Sequence, residues 1–176
     1  VSNQQAMFLM LFGIMPGSTG VHIVGAPLYH TAVLNFSTNH MHLGHTLVLM
    51  DKWDAESMLA LIEKHKVTSS HMVPTQFIRL LKLPEDVRRK YDVTSLSHMI
   101  HSAAPCPVDT KHAMLDWWGP CIYEYYAASE GGGTLVRPDE WLKKPGTVGK
   151  PWPISEIRIL DDEQQPLASG EVGTVW

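Results

Sequence analysis

Apolar positions along the chain form short runs that alternate with segments of helical periodicity. Five apolar runs predict buried strands, at residues 21–25, 46–50, 67–73, 99–100 and 121–125. The segments between them have the apolar spacing of helices, at residues 31–43, 54–64, 74–81 and 108–117. This alternation predicts an α/β fold, in which helices flank a largely parallel sheet.

Two of the predicted helices have recognisable start signals. The carboxylate of Asp54 can accept a hydrogen bond from a backbone amide of the first turn, as N-cap residues do. Pro74 suits the first position of a helix, where the missing amide proton has no intrahelical partner to lose. Both residues therefore indicate where the chain enters a helix.

The pattern changes after residue 150. Residues 156–160 and 171–176 are typical of strands, and the turn-rich segment between them predicts an antiparallel pair. We therefore expect a boundary near Pro151. Residues 1–150 would form the central α/β portion of one domain, and residues 151–176 would begin a small antiparallel β subdomain.

Composition and charge exclude several classes of protein. The chain has 176 residues, of which 44% are hydrophobic and 18% are charged, and this is typical of a folded globular protein. Its formal net charge is −4 and no long basic run occurs, so a nucleic-acid partner is not expected. The apolar stretch at residues 6–15 is too short to span a bilayer. We expect a cytoplasmic protein with two reduced cysteines.

The densest group of histidines does not predict a metal site. On a helix, the side chains of His40 and His42 point apart, because they are two positions apart. His42 and His45 could approach each other, but two ligands make a poor site for zinc. We therefore interpret these histidines as structural.

Unusual residues follow three of the predicted strands. The first strand leads into residues 27–30, the fourth into residues 101–105 and the fifth into residues 125–133. Ligands of parallel sheets bind outside the carboxyl ends of the strands. Small residues allow a ligand to approach the backbone, an aromatic ring can stack on a base, and a lone carboxylate can hold Mg²⁺. The combination predicts a nucleotide site.

The same segments resemble the signature motifs of acyl-CoA synthetases in the adenylate-forming, AMP-binding superfamily. The matching segments are Pro-Leu-Tyr-His at 27–30, Ser-Ala-Ala-Pro at 102–105, Tyr-Ala-Ala-Ser-Glu at 126–130, Pro-Gly-Thr-Val-Gly-Lys-Pro at 145–151 and Gly-Glu-Val-Gly at 170–173. They occur in the order and at the approximate spacing of the family. The resemblance covers essentially the whole chain.

The resemblance implies a reaction and its cofactors. An acyl-CoA synthetase joins a carboxylate to the α-phosphate of ATP, releases pyrophosphate, and then transfers the acyl group to the thiol of CoA. By this analogy the substrates are ATP, CoA and a hydrophobic carboxylic acid such as a fatty acid, and Mg²⁺ is the metal. A ligase for bile, aromatic or carnitine-like acids and a non-catalytic module that binds nucleotide or acyl ligand remain alternatives.

The resemblance also implies a role for each motif residue. The implied catalytic residues are His30, Ser129 and Glu130, and Glu130 would also hold Mg²⁺. Tyr126 would stack on adenine. The implied adenine-contacting turn consists of Ser102, Ala103, Ala104 and Pro105.

Two residues depart from the family pattern. Ala127 occupies a position that usually holds glycine, and it disfavours positive φ, so we expect a reshaped acyl pocket. Ser129 replaces the usual threonine but keeps the hydroxyl donor.

The family's phosphate-binding loop and C-terminal domain have no counterpart in residues 1–176. We expect the chain to be an internal piece of a longer protein, without ligase activity by itself.

Overall fold

A computed structural model of the chain describes residues 3–128, 131–153 and 155–176. Seven strands form the main sheet: β1 (Val21–Val24), β2 (Thr46–Leu49), β3 (Ser69–Met72), β4 (His98–His101), β5 (Ile122–Ala128), β6 (Gly131–Val136) and β7 (Lys150–Pro151). A second sheet consists of β8 (Ile159–Leu160) and β9 (Thr174–Val175). The helices are α1 (Asn3–Met10), α2 (Thr31–His42), α3 (Ala55–His65), α4 (Pro74–Leu81), α5 (Glu85–Lys90), α6 (Val108–Trp118) and α7 (Pro138–Lys143).

The strand order of the main sheet is β2-β1-β3-β4-β5-β6-β7. The first five strands pair in parallel, whereas β6 and β7 extend the sheet in antiparallel fashion. The second sheet is antiparallel. This arrangement confirms the predicted fold class, a largely parallel sheet with helices and a small antiparallel β unit.

The hairpin of β5 and β6 was not predicted from the sequence, because its glycines resemble a loop. Gly133 pairs with Ala127 across the hairpin. A Cβ at Gly133 would lie only 2.6 Å from the carbonyl oxygen of Tyr126. The close approach of the two backbones therefore requires glycine, and here glycine indicates a tight strand pair.

Both predicted helix starts are confirmed. The backbone amide of Ser57 donates a hydrogen bond to Asp54 Oδ1 at 2.9 Å. Pro74 is the first residue of α4, and the side chain of Gln76 accepts a hydrogen bond from the amide of Val73 at 3.0 Å. These contacts satisfy amides that the helices leave unpaired.

Apolar side chains form two clusters, and the second is rich in aromatic rings. The larger cluster includes Met58, Leu59, Phe77 and Met114, which are fully buried. The second cluster consists of Leu9, Phe12, Ile14, Phe36, Ile100 and Tyr125. No helix within the described ranges is long and apolar enough to cross a bilayer.

The histidines near the end of α2 include a close pair, His40 and His45, that the sequence did not indicate. His40 Nδ1 lies 2.8 Å from His45 Nδ1, whereas His42 bonds to the backbone of its own helix. The backbone at Gly44 has a φ of 78°, and the chain returns there towards His40. The amide of His45 then bonds to the carbonyl of His40 at 3.0 Å.

Acid is expected to destabilise the fold through its buried histidines. Burial lowers the pKa of His40 to about 3 and that of His71 to about 4, and it also lowers the pKa values of His22 and His101. The unfolded chain, with histidine pKa values near ~6.5, therefore binds protons first as the pH falls. Each such histidine should remove about 1.4 kcal/mol of unfolding free energy per pH unit between ~6.5 and its folded pKa.

Urea denaturation at a series of pH values checks this expectation. The unfolding free energy should fall steadily from about pH 6.5 to about pH 5, before most carboxylates titrate. A constant unfolding free energy over that interval would contradict it.

Candidate nucleotide-binding site

The turn that follows β4 lies beside β5 at the carboxyl edge of the sheet. The two strands pair in parallel, with His101 opposite Glu124. In this register the turn at residues 102–105 begins beside Tyr125, in the middle of β5. Ala103, Ala104 and Pro105 are exposed, and Tyr126 is 52% exposed. The structure thus brings two of the predicted motifs to one edge, with small residues and an accessible ring.

The turn contains a strained residue. Ala103 has a φ of 73°, in the left-handed region that favours glycine. For a residue with a Cβ this conformation costs roughly 1–2 kcal/mol. Such strain persists only where the surroundings fix the backbone, and it is common at functional sites.

Ala127 carries no such strain. It lies in β5, and its φ is outside the positive region that holds Lys66, Ala103 and Gln164. The concern that alanine disfavours the backbone at this position therefore does not apply, because the strand has extended geometry. Among the described residues of this site, Ala103 is the non-glycine residue with a positive φ.

A buried polar cluster lies beneath the turn. His71 Nε2 lies 3.0 Å from Ser102 Oγ and 3.1 Å from the hydroxyl of Tyr125. Burial lowers the pKa of His71 and raises that of Tyr125, so both side chains are neutral near pH 7. The cluster connects the ends of β3, β4 and β5.

A buried ion pair joins α6 to β5, next to His101 of β4. Lys111 is fully buried, and its Nζ donates a hydrogen bond to Glu124 Oε2 at 2.5 Å. His101 Nε2 lies 3.4 Å from the same oxygen. Burial lowers the pKa of Lys111, and the Glu124 carboxylate opposes that shift. The ammonium also lies 4.8 Å from the ring centroid of Trp141 in α7, an attractive cation–π arrangement.

A cavity of about 200 Å³ opens beside Tyr126. Its walls include Ala128, Gly132 and Gly133 from the hairpin. Glu156 and Trp176 complete the opposite side. The cavity thus lies between the end of β5 and the small antiparallel sheet.

His30 lies at the same edge of the sheet but two strands away from β4. It is the N-cap residue of α2, its side chain makes no capping hydrogen bond, and it is exposed. Its ring centroid is 4.5 Å from that of Tyr29, which is 81% exposed. The described contacts do not join His30 to Tyr126 or to the turn.

Ser129 and Glu130 lie outside the described residues. Their predicted roles, a hydrogen bond to the α-phosphate and the binding of Mg²⁺, rest on the motif alone. Among residues 3–128, 131–153 and 155–176, no group of three His, Cys, Asp or Glu side chains could hold a metal ion.

Two buried polar residues beneath this edge, His71 and Lys111, were not predicted from the sequence. His71 is a polar residue within a fully buried strand, followed by Met72. Lys111 is a charged residue on the buried side of α6. A polar side chain at a position that the strand or helix pattern assigns to the core is the signal that could have found them.

Comparison with known proteins identifies the family. The family model described as AMP-binding enzyme matches residues 2–176. The chain therefore belongs to the AMP-binding enzyme family.

Two curated relatives are CoA ligases. A long-chain-fatty-acid–CoA ligase from Bacillus subtilis (strain 168) is 34% identical over 148 residues, which cover 81% of this chain and 26% of the relative. A 4-coumarate–CoA ligase-like protein from Arabidopsis thaliana is 28% identical over 159 residues, which cover 88% of this chain and 29% of the relative. The chain thus spans less than a third of the length of these relatives.

Solved structures of similar fold include two synthetases. An amide bond synthetase from Marinactinospora thermotolerans has a TM-score of 0.85 at 22% identity, over 98% of this chain and 36% of that one. An O-succinylbenzoate coenzyme A synthetase from Bacillus subtilis, in complex with AMP, has a TM-score of 0.78 at 23% identity, over 98% and 34%. These likenesses establish a shared fold.

Proposed function

We propose that this chain is the central part of the nucleotide-binding domain of a longer, AMP-forming acid–thiol ligase. The carboxylate of the acid would attack the α-phosphate of ATP and release pyrophosphate. The thiol of CoA would then displace AMP from the acyl adenylate. The observation that carries this proposal is the convergence of Tyr126 and the turn at residues 102–105 at the carboxyl edge of a sheet in an AMP-binding family member.

The residues of this edge suit an adenine ring. Tyr126 offers a half-exposed aromatic face, and base stacking on such a face contributes roughly 1–3 kcal/mol. Ala103 and Ala104 have small side chains, so a flat ligand can approach the backbone of the turn. We therefore propose that adenine binds between Tyr126 and this turn.

The proposed catalytic residues act on the two anionic reactants. The hydroxyl of Ser129 would donate a hydrogen bond to the α-phosphate, and His30 would lie beside the reacting carboxylate. The carboxylate of Glu130 would hold Mg²⁺, which supplies positive charge against the phosphate oxygens. Neutralising and positioning charges in this way accounts for much of the rate enhancement in phosphate chemistry.

The acid substrate is proposed to be a fatty acid. The support is the 34% identity to the Bacillus subtilis long-chain-fatty-acid–CoA ligase. An aromatic acid is the second candidate, and it is favoured by the similarity to the Arabidopsis 4-coumarate–CoA ligase-like protein.

A substrate panel separates the two candidates. The longer protein would be incubated with ATP, CoA and either fatty or cinnamic acids, and AMP, pyrophosphate and acyl-CoA would be quantified. We expect the highest kcat/KM with fatty acids. A higher kcat/KM with cinnamic acids would contradict the fatty-acid assignment and support an aromatic-acid ligase.

Replacing Tyr126 by alanine in the longer protein should weaken ATP binding about ten- to a hundredfold, because the stacking face is lost. Tyr126→Phe keeps that face and should bind ATP nearly as well as the wild type. Calorimetric titration of both variants measures the dissociation constants, and thermal melting measures their stability. An alanine variant that melts earlier but binds ATP normally would contradict the stacking role.

A further inference from the structure

One polar cluster of this fold shares only Ser102 with the proposed nucleotide site and lies directly under it. It consists of His71 in β3, Ser102 immediately after β4, and Tyr125 in β5. His71 Nε2 lies 3.0 Å from the serine Oγ and 3.1 Å from the tyrosine hydroxyl. All three residues are buried, so none of them offers its ring or hydroxyl freely to a ligand.

Each hydrogen-bond partner of His71 directly precedes, in the sequence, a residue of the proposed site. Ser102 precedes Ala103, the strained residue of the turn. Tyr125 precedes Tyr126, and successive side chains of a strand point to opposite faces. The buried Tyr125 and the half-exposed Tyr126 follow this rule. A group that fixes Ser102 and Tyr125 therefore also fixes the two segments between which adenine is proposed to bind.

The energies involved are comparable, so the cluster can hold the strained turn. The left-handed conformation of Ala103 costs roughly 1–2 kcal/mol. Leaving a buried hydroxyl without a partner costs about 1–3 kcal/mol. A turn that relaxed away from His71 would lose the hydrogen bond between the Ser102 hydroxyl and Nε2.

The chemistry of His71 suits a fixed connector. A hydroxyl can donate or accept a hydrogen bond, so Nε2 can bond in either tautomer, and it shares its single proton or lone pair between the two hydroxyls. One face of its ring stacks on Phe36, with centroids 5.0 Å apart. The face of the ring therefore packs against α2, and Nε2 bonds to the residue that follows β4 and to a residue of β5.

We propose that His71 is a positioning residue for the nucleotide, which sets the distance between the turn at residues 102–105 and Tyr126. This inference rests on the proposed function, because it assigns His71 to the same site. It adds a residue that touches neither substrate nor phosphate and acts only through Ser102 and Tyr125.

The test replaces His71 by phenylalanine in the longer ligase, which keeps a flat ring beside Phe36 and removes both hydrogen bonds. We expect ATP binding to weaken about tenfold, the equivalent of about 1.4 kcal/mol. His71→Gln keeps a neutral hydrogen-bonding group and should recover part of that affinity. The amides of Ala103 and Ala104 should exchange hydrogen faster in the phenylalanine variant.

His22→Phe is the matched control. His22 is also buried in the sheet, its Nδ1 lies 2.9 Å from Ser69 Oγ, and its ring also stacks on Phe36. The variant therefore loses the same kind of interaction, but the lost hydrogen bond goes to Ser69 and not to the turn or to Tyr125. We expect His22→Phe to lower the melting temperature but to leave ATP affinity and the exchange rates at Ala103 and Ala104 unchanged.

The outcomes separate this inference from the proposed function. If the wild-type ligase binds ATP and His71→Phe binds it equally well, the positioning role is overturned and the proposed function stands. If both phenylalanine variants lose ATP affinity in proportion to their loss of stability, the role of His71 is only structural. If the wild type binds no ATP, the proposed function is overturned, and the positioning role with it.

Discussion

Replacing Lys111 by alanine is expected to lower the unfolding free energy by about 3–5 kcal/mol. The lysine is fully buried, and its ammonium donates a 2.5 Å hydrogen bond to Glu124, whose side chain is only 10% exposed. Removing the ammonium would leave the carboxylate buried without its ionic partner, and this is the costly step. Urea denaturation of both proteins near neutral pH measures the difference.

An exposed pair of the same chemistry provides the control. Lys66 Nζ lies 2.8 Å from Asp92 Oδ2, but these side chains are 63% and 42% exposed. Water and salt screen such a pair, so Lys66→Ala should cost far less unfolding free energy than Lys111→Ala. Equal losses for Lys66→Ala and Lys111→Ala would contradict the explanation from burial.

Removing both charges of the buried pair is a second test of the explanation from burial. In Lys111→Met combined with Glu124→Leu, no charge is left without a partner. Well-packed apolar replacements of buried pairs are often neutral or stabilising. We expect the double variant to be more stable than Lys111→Met alone. A double variant less stable than both single variants would indicate that the pair itself is strongly stabilising.

Replacing Glu130 by alanine in the longer ligase should lower the rate of adenylation by about two orders of magnitude or more. Loss of one preorganised group that stabilises developing charge has this effect in other enzymes. The proposed role of Glu130 is to hold Mg²⁺, so excess Mg²⁺ should restore little of the rate. Single-turnover release of pyrophosphate measures the adenylation step directly.

Glu85→Ala is a suitable control for this variant. Glu85 lies at the start of α5 and pairs with Arg89 on the surface, and it belongs to none of the proposed motifs. We expect it to adenylate at the wild-type rate. A near-normal rate for Glu130→Ala at saturating Mg²⁺ would show that another group holds the metal.

Much of the fold could be predicted from the sequence, because local signals govern it. The strands β1 to β5 follow from short apolar runs, and the starts of α3 and α4 follow from Asp54 and Pro74. The hairpin of β5 and β6 could not be predicted in this way. Its glycines are required by the close approach of Gly133 to Tyr126, and that contact exists only after the two strands have paired.

The candidate site also has a part that could be predicted from the sequence and a part that could not. The place of the turn at residues 102–105 follows from the end of β4, because parallel strands present their carboxyl ends at one edge. Tyr126 was expected just after the fifth strand and instead lies within β5. The link between His71, Ser102 and Tyr125 depends on the strand order β3-β4-β5 and on its register. Residues 31 and 54 positions apart in the chain meet there, and no local pattern encodes such a meeting.

The exchange of labelled pyrophosphate into ATP tests the central proposal most directly. In the longer ligase, exchange reports the reversible formation of an acyl adenylate and needs no CoA. We expect label to enter ATP only when a carboxylic acid is present, and Tyr126→Ala to need a higher ATP concentration for the same rate. Turnover of ATP to ADP, or the absence of exchange with every acid tested although ATP binds, would contradict the assignment of this chain to an adenylate-forming ligase.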